Sequence, residues 1–115
     1  MRHLRAGERQ WEEGPGYRKR RLIDDAPLPA EVSLVQEVRF PKGASVPDHL
    51  HRVQTEVFVA LAPGTIIVGG EEVRMAAGDV VVCEPGEVHS VPPVEGAFGF
   101  LVLKIDYRED DTEWL

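Results

Sequence analysis

The sequence predicts an all-β protein built as a sandwich or barrel. Short runs of apolar and β-branched residues recur along the chain, and turn-forming glycines and prolines separate them at fairly even intervals. No segment keeps the 3.6-residue apolar period of an amphipathic helix. At 115 residues the chain has room for one domain with one core.

Each predicted strand rests on a local pattern. The predicted strands are 31–40, 56–61, 65–68, 72–75, 79–83 and 98–105. Gly69-Gly70 is a strong hairpin signal, because both glycines accept positive φ. The run 79–83, Asp-Val-Val-Val-Cys, is typical of a buried strand, so we expect Cys83 to act as a small buried hydrophobe.

Composition and charge exclude several classes of partner. The formal net charge of −7 argues against nucleic acid and against an anionic membrane surface, both of which attract clustered Lys and Arg. No apolar run approaches the roughly 20 residues of a membrane span, and the N-terminus lacks the apolar core of a signal peptide. A single cysteine allows no internal disulfide. We therefore predict a cytoplasmic protein.

Three histidines and a glutamate form the most informative pattern in the chain. His49 and His51 are two residues apart, so on a strand both side chains leave by the same face. Glu56 begins the next strand, and His89 follows a later strand and turn. A lone histidine or glutamate is more often structural or solvated, but the four together favour one divalent transition-metal ion. Their chemistry suits Fe, Mn, Ni, Co, Cu and Zn about equally.

The two stretches that hold these residues resemble the paired signatures of the cupin superfamily. The matching positions are Gly43, His49, His51, Glu56, Gly64, Gly78, Gly86 and His89. Gly64 stands one place later than usual, Glu84 occupies the usual proline position, and Pro93 replaces an asparagine. These departures affect turns and leave the ligand positions intact. The resemblance implies a single-domain jelly-roll barrel, also called a double-stranded β-helix, over about residues 30 to 105.

We predict a domain organisation of an N-terminal extension (1–16), a cupin barrel (17–107) and an acidic C-terminal tail (108–115). His3 is expected in a mobile N-terminus, without a role. Residues 17–23 look like a strand that could pair with an edge of a second subunit. Single-domain cupins are commonly dimers, so the resemblance also implies a homodimer.

Strand alternation suggests which other side chains line the site. If Glu56 points inward, Phe58 does too, and Gln36 lies between apolar residues on the inward face of its strand. Gln36 could orient a substrate, or it could bond to the backbone or lie outside. Phe98 and Phe100 alternate on the last strand and could add an apolar wall, or simply pack in the core.

We expect no free Asp, Lys or Tyr close to the histidines, so chemistry would depend on the metal, its water and Glu56. In related metal-dependent cupins the glutamate can serve as ligand and as base, and the resemblance implies the same dual role for Glu56. One hypothesis is a small oxygenase or isomerase acting on a small polar, metal-chelating substrate. The alternative is a non-catalytic module that binds a metal or a small ligand. The complete ligand set favours the enzyme, whereas the missing acid or base and the short loops favour the module.

Overall fold

Two five-stranded antiparallel sheets form the body of the protein in the computed structural model, which describes residues 1–14, 17–19 and 32–115. The strands are β1 (Arg2–Leu4), β2 (Glu12–Gly14), β3 (Tyr17–Lys19), β4 (Val32–Phe40), β5 (Val46–His51), β6 (Thr55–Ala60), β7 (Gly64–Val68), β8 (Glu71–Met75), β9 (Val80–Cys83), β10 (His89–Val91), β11 (Phe98–Ile105) and β12 (Thr112–Trp114). The described residues also include a 3-10 turn at Ala6–Glu8. Within the described part of the chain, no helix is long and apolar enough to cross a bilayer.

The strand order shows a jelly roll. One sheet has the order β1-β9-β6-β11-β4, and the other has the order β12-β5-β10-β7-β8. Most neighbours within a sheet are distant in sequence, because the chain passes repeatedly from one sheet to the other. β2 and β3 form a separate two-stranded ribbon. The predicted all-β jelly-roll fold is confirmed.

The core lies between the two sheets and follows from the alternation of side chains along each strand. On β11, Phe98, Phe100 and Val102 are buried, whereas Leu101 between them is partly exposed. Side chains from the other sheet, with Ile66 fully buried among them, pack against this face. Burying each such side chain contributes roughly 1.5–3 kcal/mol.

Cys83 lies in the same core and is almost completely buried. Burial raises the pKa of its thiol to about 12, because the thiolate would lose its hydration there. The thiol therefore stays protonated and behaves as the small hydrophobe that its apolar context indicates.

The hairpin predicted at Gly69-Gly70 joins β7 to β8. Both glycines have positive φ, 58° and 78°, which side chains with a Cβ rarely adopt. Val68 pairs with Glu71 directly beside this two-residue turn, which fixes the register of the whole hairpin.

Strands from both flanking segments join the barrel sheets. β1 pairs with β9, and β12 pairs with β5, so residues within 1–16 and 108–115 extend the two sheets. β3 pairs with β2 of the same chain, whereas residues 20–23 of the predicted dimer strand lie outside the described residues. The homodimer stays a prediction.

His3 has a defined place, which corrects the expectation of a mobile N-terminus around it. Its Nε2 atom lies 2.9 Å from Oδ2 of Asp79, which is buried. Asp79 also accepts backbone N–H groups of Ala6 at 2.8 Å and Ala76 at 3.0 Å. The carboxylate therefore ties β1 and the 3-10 turn to the turn before β9. Sequence reasoning missed this role because the partners are more than 70 residues apart.

Replacing Asp79 by alanine is expected to lower the free energy of unfolding by about 2–4 kcal/mol, since two backbone donors and His3 lose a buried acceptor. Burial opposes ionisation of Asp79, but its hydrogen bonds prevail and hold its pKa below the usual value. A carboxyl with a depressed pKa stabilises the folded state fully above its unfolded pKa of about 3.9. That contribution disappears as the pH falls toward the folded-state pKa.

Urea unfolding of the wild type and Asp79→Ala at pH 6 and pH 3 would test this prediction. The stability difference should be large at pH 6 and smaller at pH 3. Glu95→Gln is the control, because Glu95 is exposed. A difference that is equal at both pH values would show that the carboxylate charge contributes nothing.

Candidate metal centre

The pairing of β5 with β10 brings the three signature histidines together. His49 lies opposite His89 in this register, and His51 lies two residues further along the same face of β5. The ring centroids of His49 and His89 are 4.2 Å apart, and that of His51 lies 5.3 Å from each. Each ring offers a nitrogen within 4.8 Å of those of the other two, so the three histidines are positioned to hold a metal ion.

Backbone carbonyl groups fix the tautomer of all three imidazoles. The Nδ1 atoms lie 2.8, 3.2 and 3.0 Å from carbonyl oxygens in the pairs His49–Pro47, His51–Asp111 and His89–Glu87. A carbonyl oxygen can only accept, so each Nδ1–H donates, and each Nε2 of a neutral ring carries its lone pair. Histidines that bind metals are oriented in this way, with one ring nitrogen held by the protein and the other available to the ion.

Glu56 lies beside the histidines at the start of β6 and is buried. Its Oε1 atom is 2.8 Å from Nε2 of His51, and its Oε2 atom is 3.7 Å from Nε2 of His89. Gln54 donates its side-chain N–H to Oε1 at 2.9 Å. The carboxylate therefore contacts two of the three histidines.

The contacts of Glu56 fit a cation that lies between its carboxylate and the Nε2 atoms of His51 and His89. Although His51 Nε2 and Glu56 Oε1 are close, their geometry does not fit a hydrogen bond, and among the described residues Nε2 of His51 and of His89 has no hydrogen-bond partner. A lone pair and a carboxylate oxygen at this distance repel each other unless a proton or a metal ion lies near both. Buried polar atoms are seldom left unpaired, so these two nitrogens indicate a missing partner. The donor set of imidazole and carboxylate suits a first-row transition metal.

The electrostatics of the site keep Glu56 ionised. Burial alone would raise the pKa of this carboxyl, but the ammonium group of Lys104 and the imidazoles of His51 and His89, when these rings are protonated and donate from Nε2, outweigh burial and hold the pKa below its usual value. A metal cation bound to the two Nε2 atoms would act in the same direction. At His49, burial lowers the pKa of the imidazole, which favours the neutral form that binds metals.

A sequence profile of the cupin domain family matches residues 36–98, which is more than half of the chain. The chain belongs to the cupin domain family. The matched segment contains all four candidate ligands. No protein with a curated description matches this cupin.

Solved structures show the same fold. A predicted oxalate decarboxylase from Thermotoga maritima has a TM-score of 0.59 and 24% identity, over 89% of this cupin and 96% of that protein. A cupin protein from Bacteroides fragilis has a TM-score of 0.57 and 27% identity, over 65% of this chain and 66% of its own. DMSP lyase DddQ from Ruegeria pomeroyi has a TM-score of 0.62 and 24% identity, over 70% of this chain and 41% of the lyase. This cupin thus spans less than half of the lyase.

A cavity of about 260 Å³ opens beside the histidines. The predicted residues Gln36, Phe58 and Phe100 line it together with the four candidate ligands. Phe58 packs edge-on against both His89 and Phe100, so it forms the apolar wall behind the site. Strand alternation thus places these three side chains on the face that lines the cavity, and their role in binding a substrate stays a prediction.

Phe98 is placed elsewhere. It lines a second depression of about 450 Å³ that contains none of the candidate ligands. Its ring occupies the space over Gly64, where an added Cβ would lie 2.2 Å from a ring carbon. Phe98 is a core residue that stacks on Phe40, and the larger depression has no chemistry that resembles a metal site.

Lys104 corrects the expectation that no lysine lies near the histidines. It lines the cavity, its side chain is largely buried, and its Nζ atom lies 3.5 Å from Oε1 of Glu56. In the sheet register Lys104 stands directly opposite Glu56. Continuing the alternation of Phe98 and Phe100 along β11 leads through Val102 to Lys104, so the sequence contained the signal.

Asp111 is a second residue that sequence reasoning missed. Its buried carboxylate accepts the backbone N–H groups of Arg52, Val53 and Gln54, at distances of 2.8–3.2 Å. These residues form the turn between β5, which carries two histidines, and β6, which carries Glu56. Although burial opposes ionisation, the three N–H donors lower the pKa of Asp111.

β12, which follows Asp111, reaches the mouth of the cavity. Trp114 pairs with His49 in the register, and their ring centroids are 4.8 Å apart. Trp114 is 61% exposed, so its indole presents an open apolar face at the entrance. Thr112 also lines the cavity.

Proposed function

We propose that this cupin binds one divalent transition-metal ion through His49, His51, His89 and Glu56 and acts as an enzyme, an oxygenase or isomerase, on a small polar substrate that chelates the ion. The observation that carries the proposal is the set of inward Nε2 atoms fixed by backbone carbonyls, two of which lack a partner within the described residues. When bound, the ion would supply Lewis-acid or redox chemistry.

The chain's own residues support proton transfer at Glu56. Its Oε1 atom accepts the N–H of Gln54 and lies near Lys104, whereas Oε2 has His89 as its neighbour at 3.7 Å. Oε2 is therefore the oxygen better placed to take a proton from a bound molecule. The apolar walls from Phe58 and Phe100 limit the access of water to that oxygen. The enzyme names of two structural relatives, a predicted oxalate decarboxylase and a DMSP lyase, also support a catalytic role.

A non-catalytic metal- or ligand-binding module is the second candidate. It is favoured by the pairing of Glu56 with Lys104, since each then satisfies the charge of the other and neither is free for proton transfer. A module that binds a metal has the same metal site as the enzyme and differs in turnover, whereas a module that binds only a small ligand would lack stoichiometric metal.

One series of measurements tests the proposal. Protein purified without added metal is analysed for elemental content, then loaded in turn with Fe, Mn, Ni, Co, Cu and Zn. Each loaded form is screened for O₂ uptake and for isomerisation with small polar chelators. We expect one ion per chain and turnover with at least one metal. Binding without turnover would favour the module, and no stoichiometric metal in any form would refute the site.

A further inference from the structure

The charges that line the cavity constrain the ligand it can take. Among the cavity-lining residues that the structure describes, Glu56 and Lys104 carry the formal charges, and the three imidazoles are neutral when they bind a metal. A divalent ion contributes two positive charges, Lys104 one positive and Glu56 one negative. The loaded cavity therefore carries two net positive charges behind apolar walls, where electrostatic interactions are stronger than in water.

Lys104 has donors available for a ligand. Its contact with Glu56 is an ion pair at 3.5 Å, longer than the roughly 2.7–2.9 Å of a charge-assisted hydrogen bond. An ammonium group has three N–H donors, and Oε1 of Glu56 can occupy only some of them, so the others can donate to a ligand. The Nζ atom also lies 5.2 Å from the ring centroid of Tyr107, which holds the charge in place without accepting its hydrogen bonds. Once Glu56 binds a metal, its charge is shared with the ion, and Lys104 lacks a full counter-charge.

We propose that Lys104 anchors a carboxylate group of a small anion in the metal-bearing cavity and so determines the substrate class. The inference rests on the proposed function, since it assumes a metal beside Glu56. The volume of about 260 Å³ restricts the ligand to a small acid. An ammonium group pairs with an anion as a point charge, so Lys104 selects for negative charge, and the carboxylate of a small chelating acid supplies that charge in the proposed substrate class. The exposed face of Trp114 can cover the carbon body of the acid.

The test uses Co²⁺-loaded protein and two probes, malonate and its diamide malonamide, which has no carboxylate group. Calorimetry gives the dissociation constant of each probe for the wild type, Lys104→Met, Lys104→Gln and Lys104→Arg. Lys42→Met is the matched control, because Lys42 is an exposed lysine in the turn after β4. The affinity for Co²⁺ is measured separately in every variant by chelator competition.

We expect opposite effects on the cation and the anion. Removing a positive charge beside Glu56 should leave Co²⁺ affinity unchanged or tighter, whereas malonate affinity should fall about tenfold or more. The preference for malonate over malonamide should shrink in Lys104→Met and Lys104→Gln and persist in Lys104→Arg. Misfolding would weaken the binding of both ligands together, so a fall in malonate affinity without a fall in Co²⁺ affinity identifies a loss of charge.

Two results would overturn the inference and leave the metal site standing. One is equal malonate binding by the wild type and the neutral variants, which would make Lys104 only the partner of Glu56. The other is equal binding of malonate and malonamide by the loaded wild type, a result that needs no variant to fold. Failure of the wild type to bind Co²⁺ or any other ion would instead refute the proposed function itself.

Discussion

Replacing His51 by alanine is expected to abolish stoichiometric metal binding. His51 is buried, its Nδ1–H is held by the carbonyl of Asp111, and its Nε2 lies beside Glu56. The change removes one ligand and also the imidazole that lies against Glu56. Disturbing a group that merely orients a ligand costs roughly 10–100-fold in affinity, so losing the ligand itself should cost at least the upper end of that range.

The readout is the stabilisation that metal gives the folded state. At a thousandfold excess over the dissociation constant, a ligand raises the free energy of unfolding by about 4 kcal/mol. The wild type should show this gain in thermal or urea unfolding, and His51→Ala should show at most about 1.4 kcal/mol at the same metal concentration, because a 100-fold loss of affinity leaves only a tenfold excess. Isothermal calorimetry on both proteins gives the affinities directly.

His3→Ala is the matched control. His3 contacts Asp79 and belongs to β1, away from the three-histidine cluster. This variant should lose stability without metal and keep its metal affinity, which is the reverse of the pattern expected for His51→Ala. If both variants lost metal affinity equally, the site would have been assigned to the wrong residues.

The contrast between these two histidines shows what the sequence could predict. The spacing of His49, His51 and His89 contains enough local information to identify them, because alternation on a strand places two on one face and the family signature supplies the third. The role of His3 depends on β1 reaching β9, and nothing local in the sequence specifies that pairing. The same limit applies to the carbonyl of Asp111 that orients His51 across 60 residues.

The residues predicted to line the pocket show the same contrast between what local sequence patterns predict and what they do not. Gln36, Phe58 and Phe100 follow from strand alternation, and so would Lys104 had the pattern been continued along β11. Phe98 obeys the same alternation yet lies outside the cavity, because its ring fills the space over Gly64. Alternation predicts the face of the sheet on which a side chain lies. The position of that side chain along the barrel axis depends instead on how the strands are staggered.

Replacing Asp111 by alanine is expected to destabilise the fold and weaken metal binding together. Three backbone N–H groups in the turn from Arg52 to Gln54 would lose their acceptor. Unpaired buried donors cost about 1–3 kcal/mol each, and water can reach part of this turn, so we expect a total loss of about 3 kcal/mol. Because the turn sets the spacing between His51 and Glu56, metal affinity should fall by about tenfold or more.

Asp110→Ala is the control for this change, because Asp110 is the adjacent residue and is exposed. Urea unfolding of the metal-free proteins measures the first effect, and calorimetry with the preferred metal measures the second. Asp111→Asn should recover only part of the loss, since its carbonyl oxygen can still accept two of the three N–H groups, whereas its NH₂ group would face the third. If Asp111→Ala lost stability but kept the metal affinity of Asp110→Ala, the turn would stabilise the barrel without positioning the ligands. If neither property changed relative to that control, the hydrogen bonds of this carboxylate would have no energetic role.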